Sequence, residues 1–336
     1  MRVLIVGGTG LISAGIVKSL LARGADVTLY NRGQRESSSP LPPQVARIQG
    51  DRNQFSAFES QLKGLRFDAV IDMVCFNAEQ AESAVRAFGG RCEHFIFCST
   101  VCTYGTKSPP SILIDEEFPQ EPISGYGKGK VTCEKIFRAA QESGSFKTTI
   151  IRPSCTYGPG GSLIDQLESN PVSWDRIERG LPVLCAGDGL GLWQATHRDD
   201  CGKLFAYAAL NPKTYGQSYN ATRDEIMTWR DFFRQAASAL GKSAQLVFMP
   251  AAWIVKHDPK RFGLLAEITQ FHGAYTSAKA KRDVPEFRCE IGFEQGAAET
   301  LNDIKHRNAW RSSRDDALYK SMLESATQAG VEPVPA

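Results

Sequence analysis

The sequence lacks the cysteine patterns of secreted and zinc-binding proteins. Its nine cysteines are odd in number and scattered, and no CxxC pair occurs among them. In a chain of 336 residues without a secretory signal, this distribution is typical of reduced thiols rather than of a disulfide framework or a metal site. We therefore expect no metal.

Long apolar runs and a large charge excess are also missing. No run of about twenty apolar residues is present to span a bilayer. The opening MRVLIVGG has too short an apolar run for a signal-peptide core, so a cytoplasmic protein is expected. Lys plus Arg number 39 and Asp plus Glu 37, and this near balance gives no electrostatic reason to expect a nucleic-acid or membrane partner.

Buried strands that alternate with amphipathic helices fill the first half of the chain. Continuous apolar, β-branched runs predict strands at residues 2–6, 26–30, 45–49, 67–74, 94–99 and 147–153. Helical spacing of apolar residues predicts helices at 12–24, 78–90 and 126–140. This alternation predicts an α/β fold, a Rossmann-like doubly wound parallel sheet, with a smaller C-terminal substrate-binding lobe.

The periodicity weakens beyond residue 153, where glycine-rich turns interrupt shorter elements. We predict a dinucleotide-binding domain at 1–153 and a region at 154–328 that is mainly the substrate lobe, with some segments returning to the first domain. A helical pattern occurs at 228–241. The tail at 329–336 is expected to be disordered.

A glycine-rich turn, VGGTGLISAG, follows the first strand. Gly7 and Gly10 occupy the first two positions of a GxxGxxG pattern, and Ser13 stands at the third. Glycines between a first strand and an amphipathic helix let backbone N–H groups approach a pyrophosphate at the helix N-terminus. The residues expected to contact a dinucleotide here are Gly7, Thr9, Gly10, Leu11 and Ile12.

The end of the second strand reads LYNRGQR. An acidic residue usually holds the ribose of NAD at this point, whereas this chain has Asn31 and Arg32. An arginine suits a 2′-phosphate, so the sequence favours NADP and leaves NAD open; a solvated loop arginine is the alternative. After the third strand, Asp51 and Arg52 are expected near an adenine edge.

The stretch GYGKGK places Tyr126 four residues before Lys130. On a helix the two side chains share one face, so the lysine is expected to lower the pKa of the tyrosine and make it a proton donor and acceptor. Gly127 and Gly129 weaken a helix, which suggests that cofactor or substrate passes close to that face; a frayed helix start is the alternative. A second copy of the spacing occurs in AYTSAK, at 275–279.

Five segments in order resemble the extended short-chain dehydrogenase/reductases, also called the NAD-dependent epimerase/dehydratase family. They are GGTGLIS, FIFCSTVCTYG, GYGKGK, IRPSCTYGPG and THRDDCGKLF. The resemblance implies that Tyr126 is the catalytic acid/base, that Lys130 assists it and holds the nicotinamide ribose, and that Thr100 is the catalytic hydroxyl. It also implies a cofactor contact at Pro153. The spacing at 275–279 lacks this context and is interpreted as coincidence.

Departures from the family pattern bear on the substrate. Dehydratases of the family resemble STDEVYG, and here Val101 and Cys102 replace the acid pair, which disfavours dehydration. Cys155 stands where many nucleotide-sugar enzymes have asparagine, which argues against a nucleotide sugar. Cys102, Cys155 and Trp193 are expected to face the substrate, with the thiols acting by packing rather than by chemistry.

The resemblance implies an NAD(P)-dependent oxidoreductase or epimerase that acts on a secondary alcohol or ketone of a sugar-like substrate. An NADPH-dependent ketone reductase of a small metabolite is the alternative, supported by Arg32. A third reading is an RNA-binding protein of the chloroplast stem-loop-binding type, which the near-neutral charge and the intact Thr100, Tyr126 and Lys130 oppose. A homodimer is a further implication of the resemblance.

Overall fold

The computed structural model describes residues 1–34, 40–106 and 113–336. Its strands are β1 (Arg2–Val6), β2 (Asp26–Asn31), β3 (Ala46–Gln49), β4 (Phe67–Asp72), β5 (Cys92–Cys98), β6 (Lys147–Pro153), β7 (Cys155–Tyr157), β8 (Val183–Ala186), β9 (Leu192–Trp193), β10 (Ala195–His197), β11 (Ser218–Ala221), β12 (Met227–Thr228), β13 (Gln245–Met249) and β14 (Val334–Pro335). Its α-helices are α1 (Leu11–Ala22), α2 (Phe55–Leu62), α3 (Ala78–Phe88), α4 (Gly125–Glu142), α5 (Ser173–Glu178), α6 (Arg198–Ala208), α7 (Trp229–Ala239), α8 (Ala251–His257), α9 (Ala278–Asp283), α10 (Phe293–His306) and α11 (Ala317–Gln328).

The chain divides into two compact units. The first unit consists of Met1–Thr156, Thr196–Asp224 and Tyr275–Glu290. The second unit consists of Tyr157–Ala195, Glu225–Ala274 and Ile291–Ala336. The chain therefore returns twice to the first unit after its initial 156 residues.

The first unit is built on a seven-stranded sheet with the order β11-β6-β5-β4-β1-β2-β3. Every neighbouring pair is parallel, and the register of β1 aligns Val3 with Val27 of β2 and with Ala69 of β4. The strand order reverses beside β1, and ligands bind at the carboxyl ends of the strands at such a point. The predicted doubly wound parallel sheet is confirmed.

Helices cover both faces of this sheet because the central strands are apolar on both sides. In β1 the last four residues are buried, as the continuous run VLIV predicts. One face carries α1, α6 and α9, which contribute Ile16, Leu204 and Ala280 to its core. The opposite face carries α2, α3 and α4, with an aromatic cluster that includes Phe58 and Phe137.

Helices α1 and α6 approach each other closely enough to require glycine. A Cβ added at Gly15 would lie 2.2 Å from the carbonyl oxygen of Arg198, and one at Gly202 would lie 2.3 Å from the carbonyl carbon of Gly15. Real Cβ atoms do not approach backbone this closely. Gly15 and Gly202 therefore let α1 and α6 pack with backbone against backbone.

The second unit contains a three-stranded sheet with the order β14-β13-β8. Its last strand corrects the expectation of a disordered tail at 329–336, because Val334 pairs with Leu246 and Pro335 with Gln245. Proline is tolerated at this edge, where its missing N–H breaks no central ladder. Across the described ranges, no helix is both long and apolar enough to cross a membrane.

Candidate functional site

A cleft of about 630 Å³ lies at the carboxyl ends of the first unit's central strands. Its lining includes most of the predicted cofactor contacts: Gly7, Thr9, Gly10, Leu11, Ile12, Asn31, Arg32, Asp51, Arg52 and Lys130. Tyr126 lines the same cleft. Pro153 is absent from the lining and instead pairs with Ala221 in the sheet, so its predicted cofactor contact has no support in this geometry.

The glycine-rich turn needs backbone angles that favour glycine. Gly7 and Gly8 have φ values of +106° and +79°, where L side chains are strained. A Cβ at Gly8 would also lie 2.7 Å from the side chain of Leu29. Gly10 differs, because it caps α1 at φ −83° and has open space at its Cβ position. Sequence reasoning passed over Gly8, although the adjacent pair GG was its signal.

Asn31, at the end of β2, lines the cleft. Asn31 Oδ1 accepts a hydrogen bond from Gly33 N at 3.0 Å. Its Nδ2 is buried and has no hydrogen-bond partner within the described ranges. A buried amide donor without a partner is costly unless a ligand supplies an acceptor. Arg32, the next residue, is exposed and lines the cleft.

Arg52 is held in the wall of the cleft rather than extended into it. Its Nη1 donates to Asp72 Oδ1 at 3.1 Å and Oδ2 at 2.8 Å, and to the carbonyl of Val74 at 3.1 Å. Its Nη2 donates to the carbonyl of Gln80 at 2.6 Å. The guanidinium and the Asp72 carboxylate are both buried. Arg52 therefore ties the segment after β4 to α3 while it lines the cleft, and its place at an adenine edge stays a prediction.

Phe76 and Gln80 are among the cleft residues that escaped the sequence analysis. The backbone N–H of Phe76 donates to Gln80 Oε1 at 2.6 Å. The Phe76 ring is 44% exposed, and its centroid lies 4.5 Å from Lys130 Nζ and 6.3 Å from the centroid of Tyr126. From sequence alone, an apolar residue after a buried strand cannot be distinguished from a residue of the hydrophobic core.

Helix α4 brings Tyr126 and Lys130 into the cleft. Ser124 caps the helix by accepting from Gly127 N at 3.0 Å. Lys130 is buried and donates from Nζ to the carbonyl oxygen of Cys98 at 2.6 Å. Tyr126 is 46% exposed, and Lys130 Nζ lies 5.7 Å from its ring centroid.

The expected lowering of the Tyr126 pKa is not present in this structure. Burial of the hydroxyl raises the pKa of Tyr126 well above its usual range, and the neighbouring Cys98 and Cys102 thiols add to that rise. The nearby Thr100 hydroxyl acts in the opposite direction and lowers the pKa of Tyr126. Lys130 directs its ammonium to the Cys98 carbonyl, so the four-residue spacing does not translate into a direct contact with the phenol.

The hydroxyl of Thr100 lies beside Tyr126, whereas that of the preceding Ser99 is occupied elsewhere. Thr100 Oγ1 accepts from Cys102 N at 3.2 Å and lies near enough to the Tyr126 phenol to lower its pKa. Ser99 Oγ donates to Glu134 Oε1 at 2.5 Å and is buried. Of the two adjacent hydroxyls, the one at position 100 is placed to act with Tyr126.

Close packing explains the presence of two glycines, Gly127 and Gly129, in the first turns of α4. A Cβ at Gly129 would lie 2.3 Å from the carbonyl oxygen of Phe76, and one at Gly127 would lie 2.6 Å from that of Cys102. At both positions the chain's own backbone fills the place that a side chain would need. The prediction that cofactor or substrate explains these glycines is therefore replaced by close packing of α4.

The second tyrosine and lysine pair does not form an equivalent site. Tyr275 precedes α9, which begins at Ala278, so Tyr275 and Lys279 do not share a helical face. The Tyr275 ring stacks on Tyr104 at 5.9 Å, and Lys279 lies 3.8 Å from the carboxylate of Glu117. This geometry gives no support to a second catalytic pair at 275–279, and the interpretation of the spacing as coincidence stays a prediction.

The predicted substrate residues lie outside the cleft lining. Cys102 and Cys155 belong to the first unit and are half-buried, and burial raises the pKa of the Cys102 thiol. Trp193 belongs to the second unit, where it is buried and stacks on Trp229 at 4.8 Å. The Nε1 of Trp193 has no hydrogen-bond partner in the described part of the chain. Contact with a substrate stays a prediction for all three.

The chain is similar to known proteins in sequence and in fold. The model of the NAD dependent epimerase/dehydratase family matches residues 3–222. The chain is 28% identical to 2′-dehydrokanamycin reductase of Streptomyces kanamyceticus, over 90% of this chain and 83% of that protein. It is also 28% identical to the chloroplast stem-loop binding protein of 41 kDa b of Arabidopsis thaliana, over 94% and 82%. The solved UDP-glucose 4-epimerase of Thermotoga maritima shares its fold, with a TM-score of 0.75, 18% identity and coverage of 92% and 100%.

Proposed function

The chain belongs to the NAD dependent epimerase/dehydratase family and is an enzyme of the short-chain dehydrogenase/reductase type, and we propose that it uses NADP or NAD to oxidise or reduce a secondary alcohol or ketone of a sugar-like substrate. One observation carries the proposal. The cleft lined by the glycine-rich turn is also lined by Tyr126 and Lys130. A dinucleotide held at that turn would thus extend towards a proton donor.

The lining fits a dinucleotide. The N-terminus of α1 opens onto the cleft, and open space at the Cβ position of Gly10 allows a phosphate to approach backbone N–H groups. The unpartnered Nδ2 of Asn31 at the end of β2 suits a ribose hydroxyl or a phosphate oxygen. A bound nicotinamide supplies hydride acceptance and donation.

Three side chains supply the proton chemistry in this proposal. Tyr126 takes the hydroxyl proton of a carbinol or returns it to an alkoxide. Thr100, whose hydroxyl lies near the Tyr126 phenol, donates to the substrate oxygen and stabilises its developing charge. Lys130, buried and held by the Cys98 carbonyl, lines the same cleft, where it would hold the nicotinamide ribose beside Tyr126.

The cofactor preference rests on Arg32. Its side chain is exposed on the cleft directly after β2, where a 2′-phosphate would meet a guanidinium. This placement favours NADP over NAD. The family as a whole is NAD dependent, so NAD is the alternative.

Two reaction types fit the same residues. An epimerase keeps its dinucleotide bound and returns the hydride to the same substrate, whereas a net reductase exchanges its cofactor. The similarity to a protein named as a reductase over 90% of this chain favours the second type. The absence of an acid pair at Val101 and Cys102 disfavours dehydration.

The experiment that tests the proposal is mass spectrometry and absorbance of any dinucleotide released when the purified protein is denatured. Stoichiometric NAD would support an epimerase with an internal redox cycle and contradict the role of Arg32. An empty protein that binds added NADPH more tightly than NADH would support a reductase. Binding of neither, combined with salt-sensitive retention of RNA, would replace the enzyme proposal by the stem-loop-binding alternative.

A further inference from the structure

A buried carboxylate, Glu134, lies one helical turn beyond Lys130 on α4. Tyr126, Lys130 and Glu134 are spaced four residues apart and therefore follow one side of the helix. Glu134 is 1% exposed and does not line the cleft. The proposed proton chemistry does not use it.

Both carboxylate oxygens of Glu134 are fully engaged. Oε1 accepts from Ser99 Oγ at 2.5 Å and from Arg152 Nε at 3.0 Å. Oε2 accepts from Arg152 Nη2 at 2.6 Å and from Gln120 Nε2 at 3.0 Å. The carboxylate thus joins α4 to the end of β5, to β6 and to the segment before α4.

Its partner Arg152 is fixed in turn. Arg152 Nη1 donates to Tyr104 Oη at 2.9 Å and to the carbonyl of Glu116 at 3.3 Å. Tyr104 Oη donates to Asn220 Oδ1 at 2.7 Å on β11. Since Arg152 is 2% exposed, it cannot turn to solvent and release Glu134.

Stability alone does not account for this pair. Burial of two charges costs several kcal/mol per ion, and apolar replacements of such pairs are often neutral or stabilising. The geometry offers another reason. Helix α4 contacts two consecutive residues at the end of β5. Lys130 Nζ donates to the Cys98 carbonyl, and Glu134 accepts from Ser99 Oγ. Thr100 directly follows Ser99 in the chain.

We propose that Glu134 is a positioning residue that, through Ser99, fixes Thr100 relative to Tyr126 and Lys130. The inference rests on the proposed function for its catalytic consequence. It adds a role for two residues, Ser99 and Glu134, that touch neither cofactor nor substrate. A misplacement of a catalytic group by about 1 Å can cost up to a hundredfold in rate.

The test removes one hydroxyl and leaves the ion pair intact. Ser99→Ala deletes the hydrogen bond to Glu134. Ser83→Ala is the matched control, because Ser83 is also fully buried and donates to a carboxylate, Glu59 Oε1, at 2.7 Å, away from the cleft lining. Both variants lose a comparable hydrogen bond and should differ little in melting temperature.

Two readouts are compared. The first is kcat and KM of NADPH oxidation with a panel of small ketones and keto sugars. The second does not depend on turnover: ¹⁹F NMR of protein labelled with 3-fluorotyrosine, in which the Tyr126 resonance is assigned with Tyr126→Phe. We expect Ser99→Ala to lower kcat about tenfold, equivalent to about 1.4 kcal/mol, with KM changed less than twofold, and to shift the Tyr126 resonance. Ser83→Ala should change neither.

An unmoved Tyr126 resonance and an unchanged kcat in Ser99→Ala would overturn the positioning role. Equal effects of Ser99→Ala and Ser83→Ala would overturn it too, because they would reflect general loss of stability. If the unmodified protein oxidises NADPH with no member of the panel, the proposed function fails on this assay. The ¹⁹F resonance of Tyr126 in Ser99→Ala still shows whether Ser99 and Glu134 determine the environment of the Tyr126 ring.

Discussion

The α-carbon of Gly129 packs against the carbonyl oxygen of Phe76, at a distance that leaves no room for a side chain. A Cβ at position 129 would lie 2.3 Å from that oxygen. This contact joins the helix that carries Tyr126 and Lys130 to the segment that follows β4 in the cleft wall. A glycine inside a helix, which local propensity disfavours, is therefore required by packing.

Gly129→Ala is expected to destabilise the protein, although alanine is the better helix former. The added methyl must displace backbone, and overpacking of this kind costs about 1–3 kcal/mol. Gly125→Ala on the same helix is the control, because its Cβ position is open. Denaturant unfolding of both variants measures the effect. A Gly129→Ala protein as stable as Gly125→Ala would contradict the contact.

Tyr126→Phe is expected to lower the rate of NADPH oxidation with a ketone substrate by about 10²–10⁴, the range of general acid–base catalysis. Removal of the hydroxyl leaves the ring and its neighbours in place. Tyr275→Phe and Lys279→Met are the controls, since the same spacing there does not lie on one helix. Activity that survives Tyr126→Phe, or falls equally in Tyr275→Phe, would assign the chemistry elsewhere.

Arg52→Met is expected to cost about 3–5 kcal/mol of unfolding free energy, because it leaves the buried carboxylate of Asp72 without its partner. Arg47→Met, at an exposed position on β3, should change stability by less than about 0.5 kcal/mol. Urea or guanidinium unfolding compares the variants. Unchanged stability together with weaker dinucleotide binding would contradict the structural role and assign Arg52 to the ligand contact that its sequence position predicts.

His94 makes the stability depend on pH. Leu210 N donates to its Nδ1 at 3.1 Å, and its Nε2 lies 2.8 Å from Thr149 Oγ1, whose own hydroxyl donates to the Thr214 carbonyl. The ring is therefore neutral, with its proton on Nε2, and burial lowers the pKa of His94 to about 3.

The sign of the effect follows from the unfolded value of about 6.5. The neutral ring contributes its full stability above that pH, and this contribution is lost as the pH falls towards 3. At pH 5 the loss of unfolding free energy is about 2 kcal/mol. His94→Gln should lose less between pH 7.5 and pH 5 than the unmodified protein, whatever its starting stability. The exposed His306→Gln serves as control, and equal slopes for the three proteins would contradict the assignment.

The sequence predicted the elements whose structure depends on local pattern. The strand at 147–153 and the first strand match the structure end to end, because continuous β-branched runs leave few alternatives. The turn at 7–10 was predicted because glycine at the start of a helix has a local reason. Tyr126 and Lys130 were found by spacing and by the motifs around them.

Elements that depend on distant residues were missed. Helix α2 buries only Phe58 and Leu62, and strand β11 is four residues long, so neither has a strong periodic signal. The fixed position of Arg52 and the role of Gly129 depend on backbone from other elements. The raised pKa of Tyr126 reflects burial of its hydroxyl, which the four-residue spacing to Lys130 does not report.

Isothermal titration calorimetry of the protein, stripped of any bound dinucleotide, with NAD⁺, NADH, NADP⁺ and NADPH tests the central claim most directly. We expect one-to-one binding of at least one form. In Gly10→Val the added side chain would enter the open space at the N-terminus of α1, and valine can adopt the φ of this position. The substitution should therefore abolish dinucleotide binding and change Tm by no more than about 2–4 °C. Failure of the unmodified protein to bind any of the four, or undiminished binding by Gly10→Val, would contradict a dinucleotide site in this cleft.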